Sequence, residues 1–314
     1  MFTLKLVCLM EVAREYLYSG ALEKGRLDGG HHWAGEKCLN YIPRCIHIIE
    51  ATIWIAAHVY LYYSLNLPKL YVKTVESLRE INNKNLLKAG IRRTVEGWID
   101  FILAIILIGL YVQLIYYKTV SKCLIYLLFQ PCHVLLVIQA MVLLSNDDIN
   151  SFMLTVLHIP IFPGPISALV CADTTGLDLP FEAIAYYVQH WLIVLMPIYL
   201  VLRRNGVVYK LLLESSLGMK TLLTGTWIVF MVHWTIIYAA DLITTVNAEF
   251  MLCPTPAMEN LFVVIPEDIR YFYRSLLNFF VGWGLIYPIC ITYSYLGKFI
   301  NVYILRAQND DKSK

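Results

Sequence analysis

The sequence contains few charged residues for its length. Only 15% of its 314 residues are Asp, Glu, Lys or Arg, whereas 59% are hydrophobic. A soluble globule of this size could not cover so much apolar surface, so the composition predicts an integral membrane protein. The 25 basic residues are nearly balanced by 23 acidic ones, which excludes the strongly basic surface that nucleic acid requires. We therefore expect the lipid bilayer as a partner, and no nucleic acid.

The eight cysteines lack the spacing of a metal site or of a disulfide framework. No C-x-x-C pair occurs, and the cysteines are scattered along the chain: Cys8, Cys38, Cys45, Cys123, Cys132, Cys171, Cys253 and Cys290. This scatter predicts no metal centre and mostly free thiols. The amino terminus also lacks a small-residue cleavage site after its short apolar stretch, so we expect it to be retained.

Long apolar windows are abundant instead. A spanning helix needs about 20 mostly apolar residues. Seven windows meet this requirement: 46–67, 98–117, 123–145, 152–172, 183–202, 222–246 and 276–300. The predicted fold is therefore an all-α bundle of about seven transmembrane helices over residues 46–303. It lies between an amino-terminal segment, 1–45, and a polar tail, 304–314.

The fourth window is the weakest of the seven. It contains Pro160, Pro163 and Pro165, and each proline removes a helical hydrogen bond. This window could therefore be re-entrant.

The distribution of Lys and Arg predicts the orientation of the bundle, because cytosolic loops carry the excess of positive charge. Seven basic residues lie in 68–97, four in 203–221, and four from residue 298 to the end. We therefore expect the amino-terminal segment to be lumenal or external and the tail to be cytosolic. The six basic residues before the first window oppose this assignment.

Ionisable residues inside the apolar windows are candidates for function, because they are costly in hydrocarbon. The windows contain Glu50, His58, Asp100, His133, His158, His190, His233 and Asp241. The three acids lie near window ends, where we expect them to be solvated. Each histidine could also be an ordinary interhelical hydrogen-bonding group.

Depth distinguishes two of these polar groups. At 1.5 Å per residue, Cys132 lies about 15 Å from Lys122, and His190 lies about 12 Å from Glu182. Both windows enter from the external side in the predicted topology, so the thiol and the imidazole share a depth. His158 lies deeper, about 22 Å from the external side, as does His233 at about 21 Å. We therefore predict a Cys132 and His190 pair, provided that the two windows are neighbours.

The pairing has a chemical rationale. A thiol in apolar surroundings is a poor nucleophile unless a base accepts its proton. His190 could serve as this base, whereas His133 points about 100° away from its neighbour Cys132. Pro131 removes the amide donor to the carbonyl of Leu127, which predicts a local opening of the helix beside the thiol. The same features also suit a buried structural cysteine in a tolerated Pro-containing helix.

Tyr186 lies one helical turn before His190 on the same face. Its hydroxyl could bind the imidazole or a substrate oxygen. We treat Tyr186, Gln130 and His133 as candidate substrate-binding residues.

Three separated stretches carry a family resemblance. They are YLLFQPCHVL at 126–135, LPFEAIAYYVQHWLIVLMPIYL at 179–200, and the region from His233 through TTVNAEFMLCP at 244–254. Together they resemble the transmembrane protein 164 family of multi-pass membrane proteins. The resemblance covers roughly residues 15–300.

The resemblance implies an activity and a site. Members are described as cysteine acyltransferases of intracellular membranes such as the endoplasmic reticulum. They move a polyunsaturated, arachidonoyl-type chain from phosphatidylcholine to lyso ether phospholipids, in a pathway linked to ferroptosis. The family is distantly similar to androgen-induced membrane hydrolases. By position, the nucleophile matches Cys132 and the histidine matches His190; Gln130 stands where members have Asn. The implied scheme requires no metal and no cofactor.

The sequence motifs bear on four other functions. A lipid ester hydrolase could use the same Cys132 and His190 pair, with water as the acceptor. A seven-helix receptor is disfavoured because no D-R-Y follows the third window and YPICITY stands in place of N-P-x-x-Y in the seventh. A transporter that relays protons through intramembrane histidines remains open. Iron-dependent lipid oxidation is excluded by the lack of H-x-x-H-H clusters.

Overall fold

The structure is a computed structural model of the full chain. It describes residues 11–12, 14–27, 34–70, 72–73, 76, 93–145, 154, 157–170, 172, 174, 177–203, 216–248, 251–254, 266, 272–277, 288, 292, 295 and 299. The helices of the described residues are α1 (Ser19–Leu27), α2 (Glu36–Leu39), α3 (Arg44–Leu65), α4 (Arg93–Val120), α5 (Ile125–Phe129), α6 (Pro131–Leu144), α7 (Pro163–Val170), α8 (Glu182–Arg203), α9 (Ser216–Val232), a π-helix (His233–Ile237), α10 (Tyr238–Thr244) and α11 (Tyr273–Leu277).

The all-α membrane fold predicted from composition is confirmed. Within the described ranges, four helical stretches are long and apolar enough to cross a bilayer: Arg44–Leu65, Gly97–Val120, Glu182–Leu200 and Leu222–Thr244. They correspond to the first, second, fifth and sixth predicted windows. The one extended pairing found in these ranges is an isolated bridge between Ala34 and Val246.

The third and fourth windows form shorter apolar helices, Pro131–Leu144 and Leu157–Val170. The third window was predicted as one helix, but it is broken at Gln130 between α5 and α6. Most of the seventh window, together with the tail 304–314, lies outside the described residues, so the count of seven stays a prediction.

Helix boundaries follow from local sequence. Helix α3 starts directly after Pro43 and stops at Asn66, which adopts a left-handed conformation with φ of 47°. Asparagine tolerates this conformation better than most residues, so it is a common helix terminator. The sixth predicted window is continuous, but a five-residue π-helix at His233–Ile237 interrupts its α-helical hydrogen bonding.

The largest apolar core packs helices α4, α6, α7 and α8 together. Its buried members include Leu107, Leu135, Leu136, Phe162 and Ile193. Leu107, Leu135, Leu136 and Ile193 are completely buried, whereas many residues on the outer faces of α3, α4 and α8 are exposed apolar side chains. An outward-facing apolar surface of this kind is suited to lipid contact rather than to water.

The amino-terminal helix α1 packs against the turn that follows α4. Gly20 donates its backbone N–H to the Lys122 carbonyl at 3.1 Å, and a Cβ at Gly20 would lie only 1.7 Å from the Ser121 carbonyl oxygen. Only glycine therefore allows this approach. On the exposed side of the contact, Lys122 pairs with Glu15, whose hydrogen bond and negative charge raise the pKa of the lysine.

A disulfide joins Cys38 to Cys253 across 215 residues of sequence. Cys38 and Cys253 are therefore exceptions to the expectation of mostly free thiols. Irregular spacing hid the pair because a single long-range bridge needs no repeated pattern. The bridge requires α2, which contains Cys38, and the segment after α10 to lie on the same side of the bundle, as the predicted topology places them. Disulfides persist in oxidising compartments. The lumenal or external location of this side of the bundle stays a prediction.

A buried Arg274 joins several elements beside this disulfide. Its Nη1 donates to Nδ1 of His47 at 2.9 Å and to the Met251 carbonyl at 2.8 Å, and its Nη2 bonds the Glu50 carboxylate. Its guanidinium carbon also lies 5.2 Å from the ring centre of Tyr238. Arg274 thereby connects α3, α10, α11 and the disulfide-bearing segment.

Replacing Arg274 with Met should destabilise the protein by about 3–5 kcal/mol, because the substitution leaves the Glu50 carboxylate buried without its counter-charge. Thermal or denaturant unfolding in detergent micelles measures the change. Arg44→Met, at an exposed arginine, is the control and should change stability by no more than about 0.5 kcal/mol. The double variant Glu50→Gln with Arg274→Met should be more stable than Arg274→Met alone. An unchanged unfolding midpoint in Arg274→Met would contradict this account.

Removing the disulfide with Cys38→Ser and Cys253→Ser should cost about 2–5 kcal/mol, because the bridge restricts a very long loop in the unfolded chain. In the unaltered protein, unfolded in denaturant so that buried thiols become accessible, a maleimide reagent should label Cys38 and Cys253 only after reduction, as read by peptide mass spectrometry. The exposed free thiol of Cys45 serves as the labelling control and should react without reduction. Equal labelling of all three cysteines before reduction would disprove the bridge.

Candidate active site

The site is centred on the break between α5 and α6. Helix α5 ends at Phe129, Gln130 is extended with ψ of 125°, and Pro131 occupies the first turn of α6. Proline favours the first helical position because its missing N–H would have no helical partner there. The proline therefore starts a new helix, where the sequence predicted a local opening within a continuous one.

Cys132 consequently lies in the first turn of α6, and its side chain is half-buried. The amino-terminal turn of a helix carries unpaired N–H groups and partial positive charge, which favours a thiolate over a thiol. The Sγ atom of Cys132 lies 4.0 Å from Oε1 of Gln130, at the outer limit of a sulfur hydrogen bond. Gly164, at the start of α7, packs near Pro131, because a Cβ there would be 3.8 Å from the proline ring.

Helices α6 and α8 are parallel neighbours, as the predicted pairing required. The side-chain amide of Gln139 donates to the Ile193 carbonyl at 2.9 Å. Nearer the amino-terminal ends of both helices, His133 and His190 are close enough to interact electrostatically. Both contacts advance in the same direction along the two helices, which defines a parallel register.

The register determines the direction of the cysteine. Residues seven apart on a helix differ by about 20° in direction, so Cys132 shares the face of Gln139. Because Gln139 bonds both the Ile193 carbonyl of α8 and His158, Cys132 shares the side of α6 that faces α8 and the Leu157–Val170 helix. Within the described ranges no hydrogen bond joins Cys132 to His190. Catalytic hydrogen bonds are often long before substrate binds.

His190 is buried and held in one tautomer. Its Nδ1 lies 2.7 Å from the Tyr186 carbonyl oxygen. A carbonyl only accepts hydrogen bonds, so Nδ1 carries the hydrogen and Nε2 carries the lone pair. The Tyr186 ring packs against the imidazole with 4.2 Å between centroids, which further limits rotation of the histidine. His190 thus presents a basic nitrogen in a defined direction.

His133 has the same tautomer for the same reason. Its Nδ1 donates to the Tyr126 carbonyl at 2.8 Å, which also accepts the backbone N–H of Gln130. His133 therefore stabilises the carboxyl-terminal turn of α5 at the helix break. Its role in substrate binding stays a prediction.

Tyr186 was a candidate for binding substrate through its hydroxyl. That hydroxyl donates its hydrogen to the Ala168 carbonyl of α7 at 2.8 Å, so the donor is occupied. The observed contribution of Tyr186 is to tie α8 to α7 and to orient His190. A direct contact with substrate stays a prediction.

Lys118 and Gln139 lie near this site and were not predicted from the sequence. The Lys118 ammonium lies 3.5 Å from Oε1 of Glu182, and both side chains are almost fully buried. Lys118 is also close enough to His133 to interact electrostatically. In the sequence, a lysine after two tyrosines at a window end resembles an ordinary interfacial residue. Gln139 is a single amide within an apolar run, and a polar residue in such a run indicates an interhelical hydrogen bond.

Two of the other intramembrane histidines are hydrogen-bonded within the bundle. Nδ1 of His58 bonds the Trp54 carbonyl at 2.6 Å, and Nε2 of His158 accepts from Gln139 at 3.2 Å. His233 begins the π-helix and packs edge-on against Trp234.

The expectation that the three acids are solvated is wrong. Asp100 accepts the Tyr199 hydroxyl at 2.6 Å, Asp241 accepts the Ala248 N–H at 3.2 Å, and Glu50 pairs with Arg274. All three are buried because distance along a helix does not reveal whether a residue faces solvent or a neighbouring helix.

Comparison with known proteins assigns the family. The TMEM164 family profile matches residues 42–287. A protein named Transmembrane protein 164 homolog, from Dictyostelium discoideum, is 28% identical over 171 residues. That alignment covers 50% of this chain and 55% of the relative, so the chain spans about half the length of the curated relative it matches. No solved structure matches the chain. Because the family profile covers most of the sequence, including every residue of the site described above, the chain belongs to the TMEM164 family.

Proposed function

We propose that the protein is a membrane-embedded phospholipid acyltransferase with Cys132 as nucleophile and His190 as general base. The observation that carries the proposal is the parallel register of α6 and α8. It makes the helix that carries Cys132 in its first turn a neighbour of the helix that carries His190, and the lone pair of that imidazole is on Nε2. Cys-His catalysis requires such a base, itself oriented by a further group.

The first half-reaction transfers the acyl chain to the enzyme. Nε2 of His190 takes the Cys132 proton, and the thiolate attacks the sn-2 ester carbonyl of a diacyl phospholipid. The tetrahedral intermediate collapses with cleavage of the ester C–O bond, and the His190 imidazolium protonates the departing lysophospholipid oxygen. The products are an acyl thioester on Cys132 and a lysophospholipid. The Tyr186 carbonyl stabilises the imidazolium by accepting from Nδ1.

The second half-reaction passes the chain to an acceptor. His190 removes the proton from a lysophospholipid hydroxyl, whose oxygen attacks the thioester carbonyl. The C–S bond breaks, and the imidazolium returns its proton to the Cys132 sulfur. The apolar core around α6, α7 and α8 restricts water near the thioester, which favours transfer over hydrolysis.

The lipid classes come from the family resemblance rather than from the geometry. On that basis we propose phosphatidylcholine as donor, a polyunsaturated chain of the arachidonoyl type, and a lyso ether phospholipid as acceptor, in the pathway linked to ferroptosis. We also propose the endoplasmic reticulum as the location. Its oxidising lumen would allow the Cys38–Cys253 bridge to form.

Cys132→Ala should abolish the acyl-enzyme, because no other group in the scheme forms the thioester. The purified protein is incubated with arachidonoyl phosphatidylcholine, and the adduct at Cys132 is sought by peptide mass spectrometry, before and after hydroxylamine treatment. Cys45→Ala, which removes an exposed thiol on α3, is the control and should keep the adduct. Full acyl transfer by the Cys132→Ala variant would end the covalent proposal. Release of free fatty acid in place of transfer would identify a hydrolase.

His190→Gln should lower the rate of acyl-enzyme formation by about 10²–10⁴-fold, because the thiol loses its general base. Single-turnover kinetics with the same donor lipid measures the rate. His58→Gln alters a buried histidine of α3 that has no part in the scheme, and it should keep the rate within a few-fold. Equal losses in the two variants would show that His190 has only a structural role.

A further inference from the structure

The Lys118 ammonium has hydrogen-bonding capacity that the described residues do not use. An ammonium group has three donors. Among the described residues, its one hydrogen-bond acceptor is Glu182, at 3.5 Å. Its other close neighbour is the face of the Tyr126 ring, 6.0 Å from Nζ to the centroid. The Lys118 side chain retains 11% of its solvent exposure.

The ion pair with Glu182 does not by itself explain why Lys118 is buried at this position. Charge-assisted N–H···O bonds are usually about 2.7–2.9 Å long, so the 3.5 Å contact is a loose one. Glu182 already has a structural role, because its Oε2 accepts the Leu179 N–H at 3.3 Å in the turn that starts α8. The carboxylate therefore stays in place without the lysine.

Lys118 also lies where a lipid headgroup would be. Glu182 begins α8 and precedes His190 by two turns, about 12 Å along the axis. The ammonium therefore lies toward the helix end, and the imidazole lies deeper in the apolar layer. Lys118 is still close enough to His133, beside the nucleophile, to interact with it electrostatically. In a glycerophospholipid the phosphate lies at the membrane surface, and the sn-2 ester lies one glycerol unit deeper.

We propose that Lys118 binds the phosphate group of the glycerophospholipid whose acyl chain or hydroxyl reacts at Cys132. The inference rests on the proposed function for the identity of the reacting lipid. It adds a selectivity: lipids with a phosphodiester are bound, and neutral glycerolipids with the same acyl chain are bound less tightly. Glu182 positions the ammonium and offsets its charge when the site is empty.

The test measures binding in a Cys132→Ala background, where no turnover occurs. The probes are 1-oleoyl-lysophosphatidylcholine and 1-oleoylglycerol, which share a chain and differ in the phosphate headgroup. Lys118→Met should weaken lysophosphatidylcholine binding by about tenfold or more, the loss of one charge-assisted hydrogen bond. Binding of 1-oleoylglycerol should change by less than about twofold, because this probe has no phosphate for Lys118 to bind.

Four further variants separate binding from folding. Lys122→Met removes an exposed lysine one turn away and should leave the preference intact. Lys118→Arg should retain the preference, because it keeps the cation. Glu182→Gln should also retain it, because the ammonium remains. Lys118→Gln with Glu182→Gln removes both charges and avoids a lone buried carboxylate, so it should fold but lose the preference.

Two outcomes would overturn the inference. One is an equal loss of affinity for both probes in the double variant, which indicates a structural ion pair. The other is competition by inorganic phosphate against lysophosphatidylcholine as strong as that of the unlabelled lipid itself, which indicates a site for the free ion. Acyl transfer is measured separately on protein with Cys132 intact. If the Cys132→Ala parent shows no preference for lysophosphatidylcholine, or if the Lys118→Gln with Glu182→Gln variant keeps that preference, only this inference is refuted, even when transfer is observed. Absent transfer, with the preference present in the parent and lost in that variant, refutes only the proposed reaction.

Discussion

Inside an apolar helical bundle water competes little for hydrogen bonds, so a buried polar group that lacks a partner within the protein is costly. This constraint accounts for the most informative contacts in the molecule. His190 and His133 each donate to a backbone carbonyl, and Gln139 does the same across two helices. The same bonds that offset the cost of burial also determine histidine tautomers and helix register. The hydrogen bonds that stabilise the bundle are therefore the same ones on which the proposed reaction depends.

The helix break at Gln130 results from the next residue, Pro131, and it shapes the candidate site. Proline cannot donate a backbone hydrogen bond, so α5 ends before it and α6 begins at it. The result is a helix terminus, with its partial positive charge, inside an otherwise apolar region. Cys132 occupies the first turn of that helix, and His133 covers the exposed carbonyl of Tyr126. A continuous helix would have left the cysteine as an ordinary buried thiol.

The strong crosslinks and the candidate site lie on different helices. The Cys38–Cys253 bridge and the Arg274 contacts join α3, α10, α11 and the adjoining segments. The helices that bear Cys132 and His190 pack through aliphatic side chains, a few hydrogen bonds and the Lys118–Glu182 ion pair. The Cys38–Cys253 bridge therefore lies apart from the part proposed to admit a lipid.

The sequence by itself determined the all-α membrane class and most helix positions, because apolar runs of sufficient length have no other stable arrangement in a bilayer. It also indicated Cys132 and His190, because reactive side chains are rare in such runs. It could not reveal the Cys38–Cys253 bridge, the burial of Glu50 or the position of Lys118 beside His133. Those depend on which helix faces meet, and residues far apart in sequence meet only in the folded bundle. Tertiary packing alone decided these three features, because the partner of a side chain lies on a neighbouring helix and not on the helix that carries the side chain.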